Sequence, residues 1–177
     1  MKKQKKRSIA KDIAFSAILC ALGTVLLFLG SILEIIDITM AALASFLIVI
    51  SMIEIGGYMP YLVFGCTSVL SFLLLPNKSA ALFYVLFFGF YPILKRFLEK
   101  PKPFFSWVIK LVFFNISLCI YYILAKFVII TDLGNMEILM FFLMNFIFVT
   151  FDIALTLFVT AYVRKYRKVL RLDKFFK

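Results

Sequence analysis

A chain of 177 residues that is 64% hydrophobic and 18% aromatic, with a net charge of +11, does not read as a soluble domain. Its basic residues flank apolar runs, which argues against nucleic acid as the partner and for anionic membrane lipid, at about 1 kcal/mol per Lys or Arg near the surface. There is no His, and Cys20, Cys66 and Cys119 share no close spacing. That removes the commonest general base and disfavours both a metal site and a disulfide framework, so no cofactor is expected.

A bilayer core of about 30 Å needs roughly 20 apolar residues per helix. Six stretches meet that need, at about 12–33, 38–55, 58–75, 79–98, 106–130 and 138–163. The expected fold is all-α, a compact bundle of six transmembrane helices over 12–163. Basic tails, 1–11 and 164–177, flank it. The start, Met1 to Arg7, resembles the first region of a signal peptide, but the apolar run after it is too long and lacks a small-x-small cleavage site. The first span is expected to be retained.

Span one carries Ala17 and Ala21 at small-xxx-small spacing, which puts two small residues on one helix face and lets another helix approach closely in lipid. The first outer loop, Glu34 to Asp37, is short and acidic. Span two ends at Glu54, and Gly56-Gly57 supplies a tight turn into span three. Pro60 falls in the first turn of span three, where its missing N–H costs little. Asn77 and Lys78 form the next outer turn, with Ser79 as a candidate N-cap for span four. Gly89 and Pro92 predict a kink in that span.

Lys100-Pro101-Lys102-Pro103 reads as the inner loop joining two three-helix halves. Span five contains Asn115, Tyr121, Tyr122 and Lys126. A third outer loop holds Asp132 and Asn135. Span six carries Asn145 and Asp152. The tail after it interleaves basic and aromatic residues, as an amphipathic segment on a membrane surface would.

Cytoplasmic loops collect Lys and Arg. With the N-terminus inside, eighteen of the twenty Lys and Arg residues fall at inner ends, Lys95, Arg96 and Lys110 among them, and Lys78 and Lys126 remain outside. Both termini are therefore expected in the cytoplasm and the protein in the cell membrane.

Asp152 is the sharpest candidate. A carboxylate inside a membrane costs about 2.5–3.5 kcal/mol on insertion scales, so it should face the bundle interior and find a partner. Substrate, ion or proton binding is one reading. A structural contact with Asn115, Asn145 or a Thr hydroxyl is the other. Asn145 lies close to two helical turns before Asp152 and can share its cavity. At the outer face, Glu34, Asp37, Asn77, Lys78, Lys126, Asp132 and Asn135 gather, with Tyr121 and Tyr122 one turn below Lys126. Lys126 either snorkels to the interface or offers a cation to a ligand. Among sequence motifs, His-Glu-x-x-His, Gly-x-Ser-x-Gly and the P-loop are all missing, so an enzyme is not expected.

The chain length, six spans, basic cytoplasmic termini and the Ala17-xxx-Ala21 spacing together resemble the substrate-binding S component of energy-coupling factor (ECF) transporters. The resemblance implies that Ala17 and Ala21 dock on a transmembrane T component, coupled to two ATPase subunits. It also implies a vitamin or similar micronutrient bound near the outer face. Contacts would come from Glu34 to Asp37, Asn77-Lys78, Tyr121, Tyr122, Lys126 and the Asp132 to Asn145 region. The first outer loop is shorter than the lid this family often uses. The alternative resemblance is to the rod-shape membrane protein D family, a six-span scaffold that needs no ligand.

Overall fold

Apolar runs with no water to satisfy their backbone must close their hydrogen bonds internally, and every regular element among the described residues is a helix. The computed structural model describes residues 9–33, 35–99, 103–128 and 138–166, the side chains at 103, 125–128, 138–140, 165 and 166 excepted. In chain order the helices are α1 (Ile9–Leu33), α2 (Asp37–Glu54), α3 (Met59–Leu74), α4 (Ser79–Phe83), α5 (Tyr91–Leu98), α6 (Pro103–Val128) and α7 (Ile138–Ala161). A π-helical turn, Tyr84–Phe88, joins α4 to α5, and a second, Tyr162–Tyr166, extends α7.

Five stretches are long and apolar enough to cross a membrane: Ile9–Leu33, Asp37–Glu54, Ser79–Leu98, Phe104–Leu124 and Phe141–Arg164. The third expected span is shorter. Helix α3 has 16 residues, about 24 Å at 1.5 Å per residue. Its neighbours fix that length. Gly56 and Gly57 turn the chain at φ +74° and +62°, Pro60 sits in the first turn, and Pro76 holds Leu75 in extended backbone.

The fourth span also differs from a simple kinked helix. Pro92 has no N–H to return to the Phe88 carbonyl. The chain answers by widening the turn before it, where Gly89 N–H donates to Tyr84 O at 2.7 Å, and by starting α5 afresh with Pro92 in its first turn. Ser79 is not the cap of α4. Lys78 takes that position with no side-chain cap, and one residue earlier Asn77 Oδ1 accepts Ser79 N–H at 2.9 Å.

Helix α2 is central and touches α1, α3, α4, α5 and α7. Helix α1 lies against α2 and α3, and its close approaches fall at glycines. A Cβ at Gly30 would lie 2.9 Å from Met40 Cβ, and one at Gly23 would lie 3.2 Å from Thr67 Cγ2. The core is aromatic on the side of α6 and α7. Around the buried Phe87 ring, the centroids of Phe88, Tyr91, Phe114, Phe148 and Phe151 lie 4.9–5.9 Å away. Large apolar side chains such as Ile18, Leu22, Leu73, Ile116 and Phe146 cover the outside of the bundle, as contact with lipid requires.

Candidate functional site

The strongest concentration of charge lies inside the bundle, at the end where α5 passes into α6. Helix α5 presents Tyr91, Lys95 and Glu99 at four-residue spacing, hence on one face. Helix α6 adds Lys110, and α7 adds Asp152 and Thr156. Tyr91, Lys95, Lys110 and Asp152 are all buried. The Lys95 ammonium pairs with Asp152 Oδ1 and also donates to Asp152 O at 2.8 Å and Thr156 Oγ1 at 2.7 Å. Lys110 Nζ reaches Asp152 Oδ2 at 3.1 Å and Glu99 Oε1 at 3.0 Å, with the Trp107 ring centroid 5.4 Å away. Tyr91 Oη donates to Asp152 Oδ1 at 2.5 Å.

Two ammoniums and two carboxylates balance, which is what an ion group in a low-dielectric interior needs to survive there. The cluster ties three helices: Lys95 joins α5 to α7, and Lys110 joins α6 to Asp152 of α7 and to Glu99. Chemically it is a satisfied clamp.

Asp152 thus faces the interior, but with partners other than those expected from sequence. It stands near the middle of the Phe141–Arg164 span, about 14 Å from the Ala161 end of α7 by the helical rise. Asn115 and Asn145 pair with each other instead, through two reciprocal amide hydrogen bonds of 3.1 Å. Each Nδ2 also donates to its own helix, to Leu111 O and Phe141 O. Sequence reading missed Tyr91, Lys95, Glu99, Lys110 and Thr156, because the lysines pass for interfacial anchors. The four-residue spacing of Tyr91, Lys95 and Glu99, and a Lys110 set well inside an apolar run, were the available signals.

At the opposite end, Ser31, Asp37, Asn77 and Ser79 form a knot across three helix ends. Ser79 Oγ donates to Asp37 Oδ2 at 3.0 Å and to Asn77 Oδ1 at 2.8 Å. Ser31 Oγ donates to Asn77 O and accepts from Asn77 N–H, both at 2.9 Å. Lys78 Nζ donates to Phe72 O at 2.7 Å and to Leu75 O. A cation there also complements the negative end of the α3 dipole.

Below the knot lies an apolar pocket, lined by Ile38 of α2, Phe83 and Phe87 of the fourth span, Ser117 and Tyr121 of α6, and Met144 of α7. Tyr121 stacks on Phe83 with ring centroids 3.9 Å apart. The pocket's free volume is about 20 Å³, close to that of one water. Tyr122 is half-buried on α6. Glu34, Asp132, Asn135 and the side chain of Lys126 lie outside the described residues, as do the tails before Ile9 and after Tyr166.

The pair Ala17 and Ala21 is exposed. With Ile13, Met59, Leu62 and Cys66 it lines an open apolar groove of about 350 Å³ between α1 and α3. The bundle's own close packing uses Gly23 and Gly30 and leaves this alanine face unoccupied. Among the described residues no three His, Cys, Asp or Glu side chains converge as metal ligands would.

Helices of this length and apolarity mark the chain as a membrane-embedded all-helical protein. Comparison with protein-family models, with curated proteins and with solved structures finds no match.

Proposed function

We propose that this chain is the substrate-capture subunit of an ECF-type importer, set in the plasma membrane with both termini and the 99–105 segment in the cytoplasm. It takes up a vitamin-like small molecule and performs no chemistry itself. A separate T component and two ATPases supply the energy. The observation that carries this reading is the exposed Ala17 and Ala21 pair at the floor of the α1–α3 groove. Small residues left bare on a lipid-facing helix favour close approach by a second helix.

The pocket beneath Asp37, Asn77 and Ser79 is the capture site in this reading. Its lining comes from the outer halves of the last three spans and the start of α2. Tyr122 and Lys126 are the further ligand contacts that this reading implies. Asp152 and Asn145 then serve packing rather than capture.

The double substitution Ala17→Leu, Ala21→Leu tests the docking role. It is expected to abolish copurification with the T component and to leave ligand binding by the isolated subunit intact. Normal assembly of the double variant would overturn that role. One observation favours a ligand-free scaffold of the rod-shape protein D type instead: the outer pocket holds only about 20 Å³. A purified subunit that binds no small molecule, from a cell with no T component, would install that reading.

A further inference from the structure

Beside the ion cluster, a cleft of about 300 Å³ opens between α2, α5 and α7. Its walls are apolar, with Met52 and Ile53 on one side and Leu155 and Val159 on the other. Its polar groups are Lys95, Arg96 and Glu99. Their charges do not cancel. Lys95 is committed to Asp152 and Thr156, and Glu99 lies 3.0 Å from Lys110 and 3.4 Å from Lys95. The four charges of the clamp therefore balance among themselves, and the guanidinium of Arg96 is left over. Arg96 is exposed and has no ion-pair partner among the described residues.

A free guanidinium at the rim of an apolar cleft sets two requirements on an occupant. It must bring an anion whose oxygens match the fork of Arg, as phosphate does in bidentate fashion. It must also bring apolar length to lie against Met52, Ile53 and Val159, because water gains nothing on such walls. A soluble anion meets only the first requirement, a neutral lipid only the second, and a zwitterionic lipid brings a cation of its own beside the unbalanced Arg96. We infer that this cleft holds one anionic phospholipid, its phosphate on Arg96 and an acyl chain between α2 and α7. Glu99 carboxylate borders the phosphate position and is neutralised by the two lysines. With the 99–105 segment in the cytoplasm, the lipid belongs to the inner leaflet. The site does not depend on any captured substrate.

Native mass spectrometry of the full-length protein in detergent tests this, with equimolar phosphatidylglycerol and phosphatidylcholine of the same acyl chains. The wild type is expected to retain one phosphatidylglycerol in preference. Arg96→Gln should reduce that preference roughly tenfold, the order expected for losing a charged hydrogen bond. Val159→Trp, which plugs the cleft and keeps the charge, should reduce it as far. Lys5→Gln with Lys6→Gln, in the basic tail, should leave it unchanged. Unfolding temperatures establish that each variant folds, and if Arg96→Gln does not, Val159→Trp carries the test. Wild-type preference in a folded form of either cleft variant overturns the assignment. So does displacement of the lipid by inorganic phosphate, which would make the site one for a free anion.

Discussion

At Asp152 one buried carboxylate is shared by two lysines, and that ratio sets what each substitution costs. Asp152→Asn leaves two ammoniums facing each other with Glu99 as their remaining carboxylate, so it is expected to destabilise by about 3–5 kcal/mol. Lys110→Met should cost less, since Lys95 still neutralises Asp152. Combining the two removes one charge of each sign and should recover much of the loss. A double-mutant cycle read by thermal unfolding in detergent measures this coupling; additive effects would mean that Lys110 and Asp152 do not interact. The cost of burying Asp152 was legible in the sequence, because an apolar run makes a lone carboxylate conspicuous. Its partners were not. A lysine near a span end has the same signature whether it points to lipid headgroups or into the bundle.

Between helices, one tight contact is where α2 crosses Gly30 of α1. A methyl there would meet Met40 Cβ at 2.9 Å and the backbone at Asp37 Cα at 3.2 Å. Gly30→Ala should therefore cost about 1–3 kcal/mol, as overpacked cores do. At Gly65 the added methyl meets nothing within 4 Å, so Gly65→Ala should be neutral or up to about 1 kcal/mol stabilising from helix propensity. Unfolding temperatures of both variants decide it; equal losses would show that the contact at Gly30 is not what matters. Helix ends were readable from local signals, Gly56-Gly57, Pro60 and Pro76 above all, because turn chemistry is local. The start of α4 at Ser79 with no side-chain cap, and the choice of a widened turn over a kink before Pro92, depended on how neighbouring helices fit.

Across the whole molecule, charge distribution predicts the orientation and packing supplies the rest. A cysteine placed at Lys102 is expected to resist a membrane-impermeant reagent applied to intact cells and to react once the membrane is opened. Labelling from outside would reverse the topology and move the lipid cleft to the outer leaflet. Composition made the helical membrane class plain, since 64% hydrophobic content leaves few alternatives. It overstated the length of α3, which turn residues at both ends hold to 16 residues, about 24 Å. The two ends of the bundle were also unequal in legibility. The outer polar residues cluster in sequence near loops, whereas Tyr91, Lys95 and Lys110 reach Asp152 across 42 to 61 residues.

The widened turn at Tyr84–Phe88 gives the fourth span a spare residue. Such a turn takes one more residue than an α-turn over nearly the same axial advance, so the helices on either side keep their phase. Deleting Leu86 should let the turn close to ordinary α-helix and still deliver Tyr91 and Lys95 to Asp152. Deleting Val149 from α7, which has no such slack between Asn145 and Asp152, rotates the chain on one side of the gap by about 100° relative to the other. It should separate Asp152 from both lysines, or Asn145 from Asn115, and leave little folded protein. The fourth span is thus a segment in which length can change by one without losing alignment.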